Sequence, residues 1–462
     1  MSFTSDESRW ADVWLAAAAR GTTICGDFLA ATALALALQG AGASGLAVSG
    51  LLLAATLPRV VLAPLAGRLA DRIDSRTLLV TIGFGQAAIC ALLAVVEQPV
   101  LVVGLVALLA CGLAVTQPCL AALLPAMVRP ADLPRASAIS QNAVSLGALG
   151  GPVLAGLLVG QFGTRVPLLL DAATYLALVV AGLLLRTRRG GRRPAASSRA
   201  VAGSSEAAVA SPAAASSEAV SGGPAVSGGV ATPGGTDIGW RLRRDPLMLV
   251  MVVTTAVVIA AIGGINVIEV FFIRETLGDS ATTYGLVSAA WMAGMLPGSW
   301  LAVRLARRLD DDGGLVRGVL ATLAVCSLMV LLAATVPAAG VLVPLWLVGG
   351  AANGGENVFA NLLTARRVPE AMRARAYATY GAAVQGGSMA GFLIGGALLA
   401  VVPPRPLIAG AGVVGLLVVL AFVPVVTRAV RRSSLTDLPV GDRQAADAPV
   451  GDRRAADAPA GS

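Results

Sequence analysis

Long apolar runs alternate along the chain with short polar breaks that carry arginine. Crossing the hydrocarbon core of a bilayer takes about 20 predominantly apolar residues in a helix. Twelve runs meet that need, at residues 13–38, 46–66, 77–96, 99–124, 136–159, 167–185, 247–272, 282–303, 316–337, 339–363, 376–400 and 407–427. The pattern predicts an all-α membrane protein with twelve transmembrane helices. Between the sixth and seventh runs the composition changes. Residues 186–246 open on Arg186, Arg188, Arg189, Arg192 and Arg193 and continue to about Thr236 in Ala, Ser, Gly and Pro. Such a stretch has no apolar face to bury and reads as a flexible linker. The chain therefore divides into an N-terminus (1–12), a six-helix half (13–185), the linker (186–246), a second six-helix half (247–427) and a tail (428–462). The tail reads as disordered. It holds a tandem decapeptide, Val440 to Pro449 and Val450 to Pro459, differing at Gln444 versus Arg454.

The halves are related to each other. At an offset of 240, Gly147, Gly151 and Gly156 in the fifth run fall on Gly387, Gly391 and Gly396 in the eleventh. Arg135-Ala136 and Ala138 match Arg375-Ala376 and Ala378 at the same offset. At offset 236, Arg68-Leu69-Ala70 and Arg72 match Arg304-Leu305-Ala306 and Arg308. Two duplicated six-helix bundles in parallel are a transporter architecture, with binding expected at the interface between them.

Composition narrows the chemistry. The chain is 56% hydrophobic and 13% charged, where soluble domains average about a quarter charged. It has no histidine and no lysine, so all 34 basic residues are arginine. That excludes a Gly-rich phosphate loop ending in Gly-Lys-Ser/Thr, His-liganded zinc, and Ser-His or Cys-His catalytic pairs. Neither enzyme activity nor a metal or cofactor is expected. The net charge of +8 does not form a nucleic-acid surface, because the arginines fall in short clusters with few aromatics nearby. With the N-terminus assigned to the cytoplasm, 29 arginines lie in cytoplasmic segments and three (Arg165, Arg274, Arg405) in external loops. The remaining two, Arg20 and Arg59, lie within runs. This bias predicts both termini and the linker on the cytoplasmic side. Asp6, Glu7, Arg9 and Asp12 precede the first run without a cleavage pattern, so that run is expected to act as its own insertion signal. All five cysteines sit in apolar stretches, which argues against extracytoplasmic disulfides.

The break after the second run reads Gly67-Arg68-Leu69-Ala70-Asp71-Arg72-Ile73-Asp74-Ser75-Arg76. It resembles the signature loop of the major facilitator superfamily. The resemblance implies a gating loop in which Gly67 lets helices approach while Asp71, Arg72 and Arg76 hold or release a neighbouring helix end. Taken alone, the segment is also a plain basic turn that sets topology. Gln117-Pro118, Leu123-Leu124-Pro125, Ala136-Ser137-Ala138, Gly150-Gly151-Pro152 and Asp171-Ala172-Ala173-Thr174-Tyr175 resemble the branch of siderophore and macrolide exporters. Arg367-Val368-Pro369-Glu370 through Arg375 resembles the corresponding C-half loop. In the fifth run Gly147, Gly151, Pro152 and Gly156 resemble the antiporter motif of drug exporters. Proline removes a donor and small residues allow tight packing, which suits a helix that rocks, and also ordinary helix packing. Two departures stand out. Arg307 occupies the position matching Asp71, so a C-half lock would draw on Asp310, Asp311 or Asp312. The fourth run lacks the arginine that many proton-coupled drug exporters carry.

Ionisable groups at bilayer depth are costly unless paired or facing water, so each is a site candidate. Arg20 and Asp27 lie seven residues apart on nearly one face, about 10 and 20 Å deep, and Arg59 about 12 Å deep. The two arginines are expected to attract an anionic group or to pair with Asp27 or another acid. Gly26-Asp27 matches the exporter branch's helix-one pattern and points Asp27 at a central cavity. In the tenth run Asn353, Glu356, Asn357 and Asn361 form one polar stripe, read either as a cavity wall with a coupling carboxylate or as a structural network. Asp171 and Glu269 are expected near external helix ends, as interfacial or gate residues.

Together with the resemblance, these features imply a secondary active transporter working by alternating access. The expected activity is efflux of a small amphipathic molecule (a drug, macrolide or siderophore-like compound) as a proton antiporter, of the kind that gives multidrug resistance. The protein is expected to be a monomer in the plasma membrane, with protons as coupling ion and no nucleic-acid partner. Two other readings stay open. One is an importer or facilitator of a polar nutrient, although the 4% aromatic content disfavours a sugar carrier. The other is a non-transporting membrane scaffold or sensor that binds a partner through the arginine-rich linker.

Overall fold

A computed structural model describes residues 8–187, 242, 245–309 and 311–436. The bulk of the linker, residues 437–462 of the tail with its decapeptide repeat, and Asp310 lie outside the described residues. Those described form helices joined by short turns. In lipid the backbone has no water to bond with, so a spanning segment must close its hydrogen bonds internally, which a helix does. The N half consists of α1 (Trp10–Gly40), α2 (Gly45–Arg72), α3 (Ser75–Leu93), α4 (Pro99–Met127), α5 (Leu133–Phe162) and α6 (Arg165–Leu184). The C half consists of α7 (Pro246–Gly263), α8 (Ile265–Phe271), α9 (Ala281–Ala306), α10 (Asp312–Ala333), α11 (Leu342–Arg367), α12 (Glu370–Leu398) and α13 (Pro404–Thr436). The seventh span is composite: α7, Gly264, α8 and a wide π turn over Phe272–Thr276 run end to end. Thirteen α segments thus give the twelve spans expected.

Most helices outrun their apolar stretches by several residues at one end or both. The difference that matters for the gating segment is after the second run, where α2 continues through Arg72. Gly67, Asp71 and Arg72 therefore lie in the last turns of a helix and not in a loop. Leu, Ala and Arg favour the helix there, and the chain turns only at Ile73 and Asp74 before α3. Among the described residues, ten spans are long and apolar enough to cross a membrane on their own composition. The two that fall short are α11, which carries the amide and carboxylate stripe, and α12, rich in Gly and polar residues.

Packing follows the duplication. In the N half α1 pairs with α5, α2 with α4 and α3 with α6; in the C half α7 pairs with α12, α9 with α11 and α10 with α13. Counted by span, these are the same three pairings. The matched glycines do the same work in both halves. A side-chain carbon at Gly147 or Gly151 would overlap the Gly21 and Cys25 carbonyls of α1. One at Gly387 or Gly391 would overlap the Ala256 and Ala260 carbonyls of α7. Lipid offers apolar side chains little reason to leave it, so this close backbone approach supplies much of the helix association.

Candidate functional site

Two carboxylates at mid-membrane depth, one per half, are each held by a tyrosine. In the N half Tyr175 on α6 donates its hydroxyl to Asp27 Oδ1 on α1 at 2.5 Å. Asp27 is half-buried, and Arg59 on α2 stands within charge–charge range of it. Arg59 itself turns its Nε to the Ala55 carbonyl at 2.7 Å. In the C half Tyr380 on α12 donates to Glu356 Oε1 on α11 at 2.5 Å, and Thr255 Oγ1 on α7 donates to the same oxygen at 3.4 Å. Glu356 is 2% exposed. The neutral acid needs no counter-ion in such a place, whereas the anion must find a cation or water.

The stripe on α11 divides in consequence. Glu356 turns into the contact of α7, α11 and α12, while Asn353, Asn357 and Asn361 stay half-buried. Asn357 Nδ2 donates to the Asn353 carbonyl at 3.0 Å, and Tyr377 donates to the Asn361 carbonyl at 3.2 Å. The two arginines expected to act together are also separated. Arg20 reaches Gln117 Oε1 on α4 at 3.4 Å and Ser140 Oγ on α5 at 3.3 Å. Of the two, Arg59 is the one within charge–charge range of Asp27.

Asp171 and Glu269 are not interfacial. Asp171 is the seventh residue of α6 and 0% exposed, and its Oδ2 accepts the Cys90 thiol of α3 at 3.1 Å. Glu269 is 8% exposed and accepts the Trp346 indole N–H at 3.0 Å, beside the edge-on Trp291–Trp346 pair. Both sit about two turns in from a helix end, and their faces turn toward the interior of their own half. Depth alone did not reveal that.

At the end where α2 meets α3, the side chains of Asp71 and Arg72 and the surroundings of Gly67 lie outside what the structure describes. Arg76 falls in the first turn of α3 and is half-buried. In the C half Arg367, at the end of α11, bonds Asp245 through Nε at 2.9 Å and Asp312 through Nη1 at 2.9 Å. Asp312 is one of the three acids expected there. Asp311 instead caps α10 and pairs with Arg317 at 3.1 Å. In the N half Asp132, outside the membrane, accepts from Ser8 and Arg129. These bonds hold its carboxyl below its ordinary pKa, the Ser8 hydroxyl first.

The halves meet along two seams, α5 with α9 and α2 with α12. Gly156 lies against the Ala281 carbonyl and the Gly285 backbone, and Thr282 Oγ1 donates to the Gly156 carbonyl at 3.2 Å. In the other seam Gly396 lies against the Gly45 carbonyl and Ser49, whose hydroxyl donates to the Phe392 carbonyl at 2.6 Å. Gly156 and Gly396 are the pair matched at offset 240, and Ala281 and Gly285 match Gly45 and Ser49 at offset 236. Both seams sit toward the end carrying the α1–α2 and α5–α6 turns. The α5–α9 seam is continued toward mid-membrane by Ile24, Val144, Ala148 and Met295. The antiporter-like motif therefore has two uses: Gly147 and Gly151 seat α5 on α1, and Gly156 seats it on the opposite half. Pro152, buried between them, presents its carbonyl to Gly285.

Tyr175 and Tyr380 are the functional candidates that sequence reasoning did not single out. Tyrosine is scarce here, four in the chain, and two of the four bind the two mid-membrane acids. A phenol at that depth is the signal that could have found them.

The sequence profile described as Major Facilitator Superfamily matches residues 16–271 and 251–448. No curated protein matched in sequence. Among solved structures, a mutant of the nucleoside transporter NupG is similar with TM-score 0.67 and 14% identity, covering 90% of this chain and 99% of that one. An auto-inhibited POT family peptide transporter gives TM-score 0.65 and 12% identity, covering 90% and 97%. The POT family transporter PepTSo gives TM-score 0.65 and 12% identity, covering 91% and 98%. At such identities the likeness extends to the fold.

Proposed function

This chain belongs to the major facilitator superfamily, and on that premise we propose that it is a proton-coupled antiporter exporting a small amphipathic molecule. The observation that carries the proposal is the pair of acids, Asp27–Tyr175 and Glu356–Tyr380, one in each half and each bonded to a neutral hydroxyl. Among the described residues no arginine forms an ion pair with either acid within 4.0 Å. A carboxyl of that kind can take up or release a proton as the halves rock, with Arg59 as the nearby charge when Asp27 is ionised. The half-buried Asn353, Asn357 and Asn361 supply amides for a substrate's polar groups, and the apolar helix faces accommodate the rest. The seams close the α1–α2 turn end. With the termini cytoplasmic, as the arginine bias favours, this is the inward-facing conformation that loads cargo for export from the cell.

Everted membrane vesicles acidified by respiration test the proposal with a macrolide, a catechol siderophore and a fluorescent dye as probes. Vesicles carrying the wild type should accumulate at least one probe, a protonophore should discharge it, and Glu356→Gln should accumulate none. Equal accumulation by wild type and Glu356→Gln would overturn the coupling. Uptake of nucleosides or peptides into proteoliposomes, with no probe accumulated, would replace export by import.

A further inference from the structure

We propose that Asp171 is a second proton-holding carboxyl of the N half, exchanging one proton with Asp27. This rests on the reading of Asp27 as a coupling acid and adds the group it works with. Asp171 and Tyr175 lie one turn apart on α6, and Gly26 and Asp27 are adjacent on α1. A side-chain carbon at Gly26 would overlap Asp171 Oδ1 and Thr174 Oγ1, so the Asp171 carboxyl lies directly on the α1 backbone beside Asp27. Its donors are neutral: the Cys90 thiol on α3 at 3.1 Å and the Thr174 hydroxyl at 3.2 Å.

The charge balance of this cluster points to a shared proton. The titratable groups facing the two acids are Cys25 on α1, Arg59 on α2, Cys90 on α3 and Tyr175 on α6. Arg59 is the cation among these, so one positive charge stands against two carboxyls. The cluster is neutral when one carboxyl holds a proton and the other is ionised. Two unprotonated acids on facing turns of α1 and α6 would leave a net negative charge, with Asp171 0% exposed to solvent. In the exchange the proton leaves one carboxyl and bonds to the other, so proton number and total charge are conserved.

Position gives the arrangement a use. The Asp171 carboxyl lies against Gly26, level with Asp27, on the α1–α6 contact inside the N half and not on either seam between the halves. The proton can therefore pass between the two acids without the halves parting.

The test needs no substrate. Full-length protein in lipid nanodiscs is titrated with pH while infrared spectra follow the C=O stretch of protonated carboxyls. The wild type should show a buried carboxyl band that Asp171→Asn removes. In Asp27→Asn the same band should lose its proton about one pH unit or more lower, because a neighbouring negative charge has gone and Arg59 is freed. Cys90→Ala keeps both acids and should shift that band alone, a check in case Asp171→Asn folds poorly. A band unchanged in Asp171→Asn, or a midpoint unmoved in Asp27→Asn, would overturn the inference. Export without proton coupling, in a protein whose bands behave as described, would overturn the proposed function and leave the shared proton standing.

Discussion

A single hydroxyl decides what each mid-membrane acid can do. Removing the Tyr380 hydroxyl leaves Glu356 with the longer bond from Thr255, so Tyr380→Phe should lower stability by about 1–2 kcal/mol and shift the pH profile of transport. Thermal melting of the purified protein and transport at stepped pH check both. Arg367 poses the opposite case. It pairs with Asp245 and Asp312 at once, and Arg367→Ala should cost about 3 kcal/mol because Asp245, 9% exposed, loses its cation. A fall in melting temperature that Arg367→Lys only partly restores is expected, since lysine lacks the fork that reaches two acids. The acids were legible in the sequence because a charge inside an apolar run stands out against its neighbours. Their partners were not, since Tyr175 comes to Asp27 from 148 residues away. Asp171 and Glu269 were misread for a related reason: a helix position gives depth, but the facing direction depends on which neighbour packs there.

At the level of helices, the two glycine seams are where the halves must part. A bulky side chain at Gly156 has no room against the Ala281 carbonyl, so Gly156→Val should hold the α5–α9 seam open. Paired cysteines at Gly160 and Thr282, in a background lacking the native cysteines, should cross-link in the otherwise unmodified protein. They should fail to do so when Gly156→Val is added. The runs of apolar residues predicted the spans well because bilayer thickness fixes their length. The glycine offsets marked the fifth and eleventh runs as counterparts, but the helices they pack on, α1 and α7, became visible only in the structure. The end of α2 was not legible. Helix-favouring polar residues carry a helix past its apolar stretch, and hydropathy reports only the part in lipid.

For the molecule as a whole, the arginine bias predicts one orientation for every element at once. Reporter fusions at the two termini and within the linker should report the cytoplasm, and a fusion at Gly163, in the α5–α6 turn, the outside. Deleting residues 190–236 should leave vesicle accumulation intact; loss of all activity in a well-inserted protein would favour the scaffold reading. The shortfall in apolarity of α11 and α12 bears on how the chain is made. Each helix reaches the insertion machinery before its later neighbours exist, and a carboxyl at the centre of a lone helix costs about 3 kcal/mol against insertion. Helix α11 meets α9 and α10 already in place, but Tyr380, the strongest partner of Glu356, arrives only with α12. The C half therefore completes as a late, cooperative step of biosynthesis, and ribosome-bound chains ending before α12 present a half-built bundle whose most polar helix is not yet anchored.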